Sequence, residues 1–191
     1  MFLKALTKGL SILSLTCLSL LFTGISVAEP TTFLGEHGAW KAFSHKDGTT
    51  CFMVAEPEEQ KGTFTKRGRP HILITHTPKK KTFDTISIIA GYTYKPKSEV
   101  KVRLGKKSDE KSGEKTFTLF TQDDTAWARD ETTDKAMVKA AISGDHIQVK
   151  GTSTRDTVIT DIYSLEGFAA THRLIDQACK KPTTHKSQNH G

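Results

Sequence analysis

The chain has 191 residues and a formal net charge of +7, with 36% hydrophobic and 26% charged residues. That balance fits one globular domain with short appendages and excludes a disordered polyelectrolyte. Fourteen glycines and six prolines exclude collagen-like or Pro/Gly low-complexity sequence, and there is no internal repeat, Walker loop, GxGxxG, HExxH or paired CxxC to carry nucleotide or metal chemistry.

The first predicted element is a secretory signal peptide over residues 1–28. Lys4 and Lys8 supply a positive start, the stretch from Gly9 to Ala28 is uncharged, and Ser26-Val27-Ala28 places small residues before the expected cut. The mature chain then begins at Glu29. An uncleaved anchor is the alternative, since a stretch of this length just spans a bilayer core of about 30 Å. Ser11, Ser14, Thr16, Ser19 and Thr23 dilute its apolarity, however, and Glu29-Pro30 follows at once. A lipidation box at Cys17 lacks the small residue it requires before the cysteine. Removing Lys4 and Lys8 from the 28 basic residues leaves 26 against 21 acidic ones, a mature charge of +5. Two cysteines remain, Cys51 and Cys179, which in an exported protein read as one disulfide. Cys51 lies among Phe52, Met53 and Val54, a poor setting for a reactive thiol.

Residues 29–37 read as an N-terminal extension, followed by a domain over 38–181. Within it the dominant period is two: Val100, Val102 and Leu104 alternate with Lys101 and Arg103, and Ile147 and Val149 with His146, Gln148 and Lys150. Further strands are expected at 39–44, 50–55, 71–77, 84–92, 115–121 and 157–163, separated by turn sequence such as Lys66-Arg67-Gly68-Arg69-Pro70. Eight short strands at this spacing predict an all-β fold with minor α, an antiparallel sandwich or barrel. A short internal helix is expected over Asp134–Ser143, with Asp134 as cap and Gly144 as stop. A C-terminal helix is expected over Leu165–Lys181, with Ser164 as cap, Phe168, His172, Ile175 and Cys179 on one face, and Pro182 ending it. Residues 182–191 read as a disordered polar tail.

Few side chains form a recognisable catalytic pattern. His71 and His76 are five apart and point to opposite faces of a strand, so they cannot share a metal ion. His185 and His190 in the tail make a weak pair, and His172 reads as a packed or hydrogen-bonded helix residue. Gly151-Thr152-Ser153-Thr154-Arg155 lacks the second glycine of a nucleophile elbow. Asp123-Asp124 and Asp130-Glu131 read as loop carboxylates. The sequence therefore predicts no catalytic residue, no cofactor and no metal ligand.

The basic region 79–107 holds Lys79-Lys80-Lys81, Lys95, Lys97, Lys101, Arg103 and Lys106-Lys107. Phe83, Tyr92 and Tyr94 lie among these cations, as nucleic-acid binding would want, but export argues against that partner. A protein partner, anionic lipid headgroups or acidic polysaccharide would suit the charge, as would solubility alone.

From Phe117-Thr118-Leu119-Phe120-Thr121 onward a longer pattern appears. It continues through Asp124-Thr125-Ala126-Trp127-Ala128, Ala136-Met137-Val138-Lys139 and Val149-Lys150-Gly151-Thr152-Ser153. It ends with Arg155, Thr160-Asp161-Ile162-Tyr163-Ser164-Leu165-Glu166-Gly167-Phe168 and Ile175-Asp176-Gln177-Ala178-Cys179. With Trp40, Cys51-Phe52-Met53 and Gly91-Tyr92, this resembles the invasion-associated locus B family of bacterial envelope proteins over about residues 38–179. The resemblance implies an immunoglobulin-like β-sandwich exported to the periplasm or outer surface, associated in some members with host-cell entry. It defines no catalytic residue. Asp156 stands where the family usually has glycine, so a positive-φ turn there would hold Asp156 in a left-handed conformation.

Trp127, Phe117, Tyr163 and Phe168 are expected in the core. Ser153, Arg155, Asp161 and Ser164 are expected to fasten a turn and cap a helix, with Arg155 a candidate partner for Asp161. The expected function is an exported cell-envelope structural or interaction module, contributing to host-cell contact or invasion. The alternative is an exported ligand-binding or hydrolytic enzyme with its site at Trp127, Arg129, Ser153 and Arg155.

Overall fold

The computed structural model describes residues 30–45, 48–106 and 114–180. The expected signal at 1–28 and the tail at 182–191, with His185 and His190, lie outside them. The strands are β1 (Thr31–His37), β2 (Trp40–His45), β3 (Cys51–Ala55), β4 (Glu59–Lys61), β5 (His71–Thr77), β6 (Thr82–Ile89), β7 (Glu99–Gly105), β8 (Lys115–Gln122), β9 (Thr125–Trp127), β10 (His146–Thr152) and β11 (Val158–Ser164). The helices are α1 (Glu131–Ser143) and α2 (Phe168–Ala178).

Each of the eight strands expected from the period-two pattern is present. Alternation works as a guide because one face of each is covered: Ile72 and Ile74 on β5, Ile86 and Ile88 on β6, and Val100, Val102 and Leu104 on β7 all point inward. Each such side chain contributes about 1.5–3 kcal/mol by leaving water. Three further strands carry no such signal. Residues 31–37, expected as an extension, form β1, an edge strand paired antiparallel with β2 and mostly exposed. All three residues of β4 are exposed on β11, and β9 is three residues long.

Short β9 decides the architecture. It pairs with β6 through Ser87↔Trp127 and with β8 through Phe120↔Trp127, joining β1-β2-β3-β5-β6 to β8-β7-β10-β11-β4. The result is one continuous eleven-stranded antiparallel sheet. The mostly antiparallel all-β expectation with two helices is met, and the hydrogen-bonded ladders run on from one half of the sheet to the other through β9.

Both helices pack on the sheet's inner face. α1 lies on β6, β7 and β8 and buries Met137, Val138 and Ala141; α2 lies on β1, β2 and β3 and buries Phe168 and Ile175. Their N-termini differ from expectation. Asp130 caps α1, its side chain accepting from Thr133 N at 2.8 Å. Asp134 turns inward instead and accepts from Ile86 N on β6 at 3.0 Å. Ser164 does not cap α2, because its hydroxyl accepts from Glu166 N and the N-cap position of the helix is Gly167. Gly167 has φ 81°, and a Cβ there would lie 1.9 Å from the His37 carbonyl oxygen, so the turn into α2 presses on the β1–β2 turn where only glycine fits.

Two long-range links close the molecule. The Trp40 indole N–H donates to Ser164 O at 2.9 Å, and its ring meets Phe168 edge-on at 4.9 Å. The disulfide between Cys51 and Cys179, as expected, ties the C-terminus of α2 to β3 across 128 residues.

Candidate functional site

A cleft of about 380 Å³ opens between the loop after β4 and the turn joining β10 to β11. Its base is set by Arg67. The Nε–H donates to Ala90 O at 2.7 Å, while Nη1 and Nη2 make a paired contact with the Asp161 carboxylate at 2.7 and 2.6 Å. Nη1 also donates to Gln60 Oε1 at 3.1 Å, and the guanidinium lies over the Phe64 and Tyr92 rings at 5.5 and 5.1 Å. Both charged side chains are almost wholly buried, at 3% and 5% exposure, so solvent screens little of their attraction. Burial works to lower the Arg67 pKa, but the Asp161 hydrogen bonds and charge prevail and raise it. Burial pushes Tyr92 up to about 12, an effect the Arg67 charge partly offsets. Gly91 brings the chain close beneath the opening: its φ is 71°, and a Cβ would stand 2.6 Å from Gly68 O.

The opposite wall is the tip turn. Ser153 N donates to Thr157 O and Asp156 N to Ser153 O, both at 2.9 Å, while Ser153 Oγ accepts from Arg155 N at 3.3 Å. Asp156 has φ 61°, the left-handed conformation expected for it, and its carboxylate receives Lys95. Ser153 and Arg155 therefore do line one cleft. Asp161 is held by Arg67 and not by Arg155, a partner that turn-like loop sequence gave no reason to select. Trp127 and Arg129 do not line this cleft. The Trp127 indole N–H donates to Ser87 Oγ at 2.9 Å and its ring packs on Phe120, while Arg129 lies over Phe120 at 5.8 Å and 3.7 Å from Glu99. The proposed four-residue site is thus divided between two places.

Among the described residues no histidine, aspartate or glutamate lines the cleft, so none of them stands beside Ser153 as a base. Lys66 and Arg155 are exposed on its walls, and among the described residues neither has a carboxylate within ion-pair distance. The arrangement can hold an anion and hydrogen-bond hydroxyl groups. The basic region 79–107 is more neutralised than its sequence implies: Lys95 meets Asp156, Lys101 meets Glu99 and Arg103 meets Glu114.

A second cluster was not anticipated. His76 on β5, Asp84 on β6, and His172 and Asp176 on α2 place one ligand-type atom each within 4.8 Å of one another, the donor set of a divalent metal site. Hydrogen-bond direction opposes that use. Asp84 N donates to His76 Nδ1 at 3.0 Å, which puts the ring proton on Nε2, and Nε2 donates to Asp176 Oδ1 at 2.8 Å. A metal on Nε2 would require the proton on Nδ1, facing another N–H. His172 sets Nε2 against Asp84 Oδ1 at 2.8 Å and Nδ1 against Asp176 Oδ2 at 3.3 Å, so both of its ring nitrogens face carboxylate oxygens. The four side chains form a clamp between α2 and the β5–β6 hairpin. Its sequence signal was parity: His76 shares the inward face with Ile72 and Ile74, where a polar group needs a partner. His71 faces the other way, as expected.

Among the described residues no helix is long and apolar enough to cross a membrane. A family model described as invasion associated locus B (IalB) protein matches residues 40–176. No curated protein matches the chain. Among solved structures, the crystal structure of invasion associated protein b from Bartonella henselae aligns with a TM-score of 0.50 and 13% identity, covering 75% of this chain and 96% of that one. That likeness concerns the fold; the family match spans the sheet, both helices, the cleft and the clamp, and on it the chain belongs to the invasion associated locus B family.

Proposed function

We propose that the protein is an exported cell-envelope interaction module that binds an anionic envelope component, contributes to host-cell contact and has no catalytic centre of its own. The observation that carries this reading is the cleft, where, among the described residues, Lys66 and Arg155 stand without a carboxylate partner and no histidine or carboxylate lines the walls. Hydrolysis at Ser153 would need a base within hydrogen-bond reach, and the described residues of the cleft provide none. Family membership supports the envelope setting, and the signal-like residues 1–28 support export. The test is co-sedimentation of the mature, disulfide-bonded chain with isolated envelopes of the native host. Retention that falls on raising salt and in Lys66→Gln/Arg155→Gln supports the reading. Turnover of an ester or glycoside substrate that disappears in Ser153→Ala overturns it in favour of the hydrolytic alternative.

A further inference from the structure

Resting on the reading of this cleft as a binding site, we infer that its ligand is an acidic saccharide, a carboxylate-bearing sugar chain of the envelope or of a contacted surface. Charge supplies the first reason. Lys66 and Arg155 flank the opening, the nearby Asp161 and Asp156 carboxylates are already engaged by Arg67 and Lys95, and a guanidinium is shaped to take a carboxylate through two N–H groups. Wall chemistry supplies the second. Threonines 63, 65, 93, 154 and 157 and the Ser153 hydroxyl line the space, and hydroxyl groups both donate and accept, as sugar hydroxyls do. The third is the Phe64 ring, large, 40% exposed and part of the cleft lining, apolar surface of the kind that takes the C–H side of a pyranose. Because Arg67 is held by Asp161, Ala90 and Gln60 and packed on the Phe64 and Tyr92 rings, the base of the cleft is formed before any ligand arrives.

The experiment is calorimetric titration of the mature, disulfide-bonded chain with tetragalacturonate, using maltotetraose as the uncharged control. Tetragalacturonate should bind and maltotetraose should not. Arg155→Gln and Lys66→Gln should each weaken binding by about tenfold or more, roughly 1.4 kcal/mol, while Lys101→Gln in the basic region 79–107 should leave it unchanged. Both cleft cations are exposed, so these variants should keep the wild-type melting temperature. Failure of tetragalacturonate to bind, equal binding of maltotetraose, or equal weakening by Lys101→Gln overturns the assignment. If the uronate fails while envelopes still retain the chain in a Lys66- and Arg155-dependent way, only the saccharide assignment falls. If retention is lost too, the module reading falls with it.

Discussion

Arg67 makes four hydrogen bonds from a position almost closed to solvent, two of them to one carboxylate. Arg67→Met would leave Asp161 charged, buried and alone, so it should cost about 3–5 kcal/mol in urea unfolding. Adding Asp161→Leu should restore most of that; a double variant as unstable as the single one would shift the weight to the Ala90 carbonyl and the flanking rings. Asp134 titrates in the opposite sense from a salt-bridged carboxylate. Burial raises its pKa from the ordinary 3.8 to about 6, with the Ile86 N–H bond pulling the other way. The folded state therefore binds the extra proton, and this group's contribution to stability is lost as pH rises between those values. Asp134→Asn keeps an acceptor for Ile86 N–H and should gain about 2 kcal/mol over wild type at pH 7, a gain that vanishes near pH 4. A difference independent of pH would sink the argument. At this scale the sequence marked Asp161, Ser153 and Arg155 as out of the ordinary, but it could not pair Asp161 with Arg67. The two are 94 residues apart, and Arg67 sits in loop sequence with no periodicity to read.

Among the elements, α2 has three independent attachments: Phe168 and Ile175 in the core, the His76–Asp84–His172–Asp176 clamp at its middle, and the disulfide at its end. A loop of this length is worth about 5 kcal/mol in the chain-entropy model of cross-linking. Reduction should thus lower global stability while the clamp keeps the first turns of α2 docked. Hydrogen exchange on the reduced protein should show faster exchange at Ala178 and Cys179 with protection retained around His172. Uniform loss of protection along α2 would mean that the clamp contributes little. Strands whose partners cover one face were legible as alternation, whereas β1, β4 and β9 were not: an edge strand buries too little, and three residues cannot show a period. Helix existence was legible and helix starts were not, because Asp134 and Ser164 are reasonable caps by type whose side chains are used elsewhere.

For the whole molecule, the compartment rests on residues 1–28. Mature protein from the native host should begin at Glu29 by N-terminal mass spectrometry, and an intact chain recovered in the membrane fraction would favour the anchor instead. The family was legible in the order of residues along the second half of the chain, while the continuous sheet was not, because its joining strand β9 is visible only in three dimensions.

The disulfide and the Trp40–Ser164 contact have a bearing on the order of events in synthesis. The chain emerges N-terminus first, yet Trp40 waits for Ser164 and Phe168, β4 for β11, Cys51 for Cys179 and Arg67 for Asp161. Strands β1, β2, β3, β5 and β6 pair with near neighbours in sequence, but the links that lock them to the rest of the molecule wait until the last third exists. Such non-local topology delays the folding nucleus and gives slow refolding, on a scale of about milliseconds to seconds. A chain ending before α2 should accordingly fail to unfold cooperatively on heating. Until α2 is made, the covalent and core links that would resist pulling the chain back into an extended thread are still open.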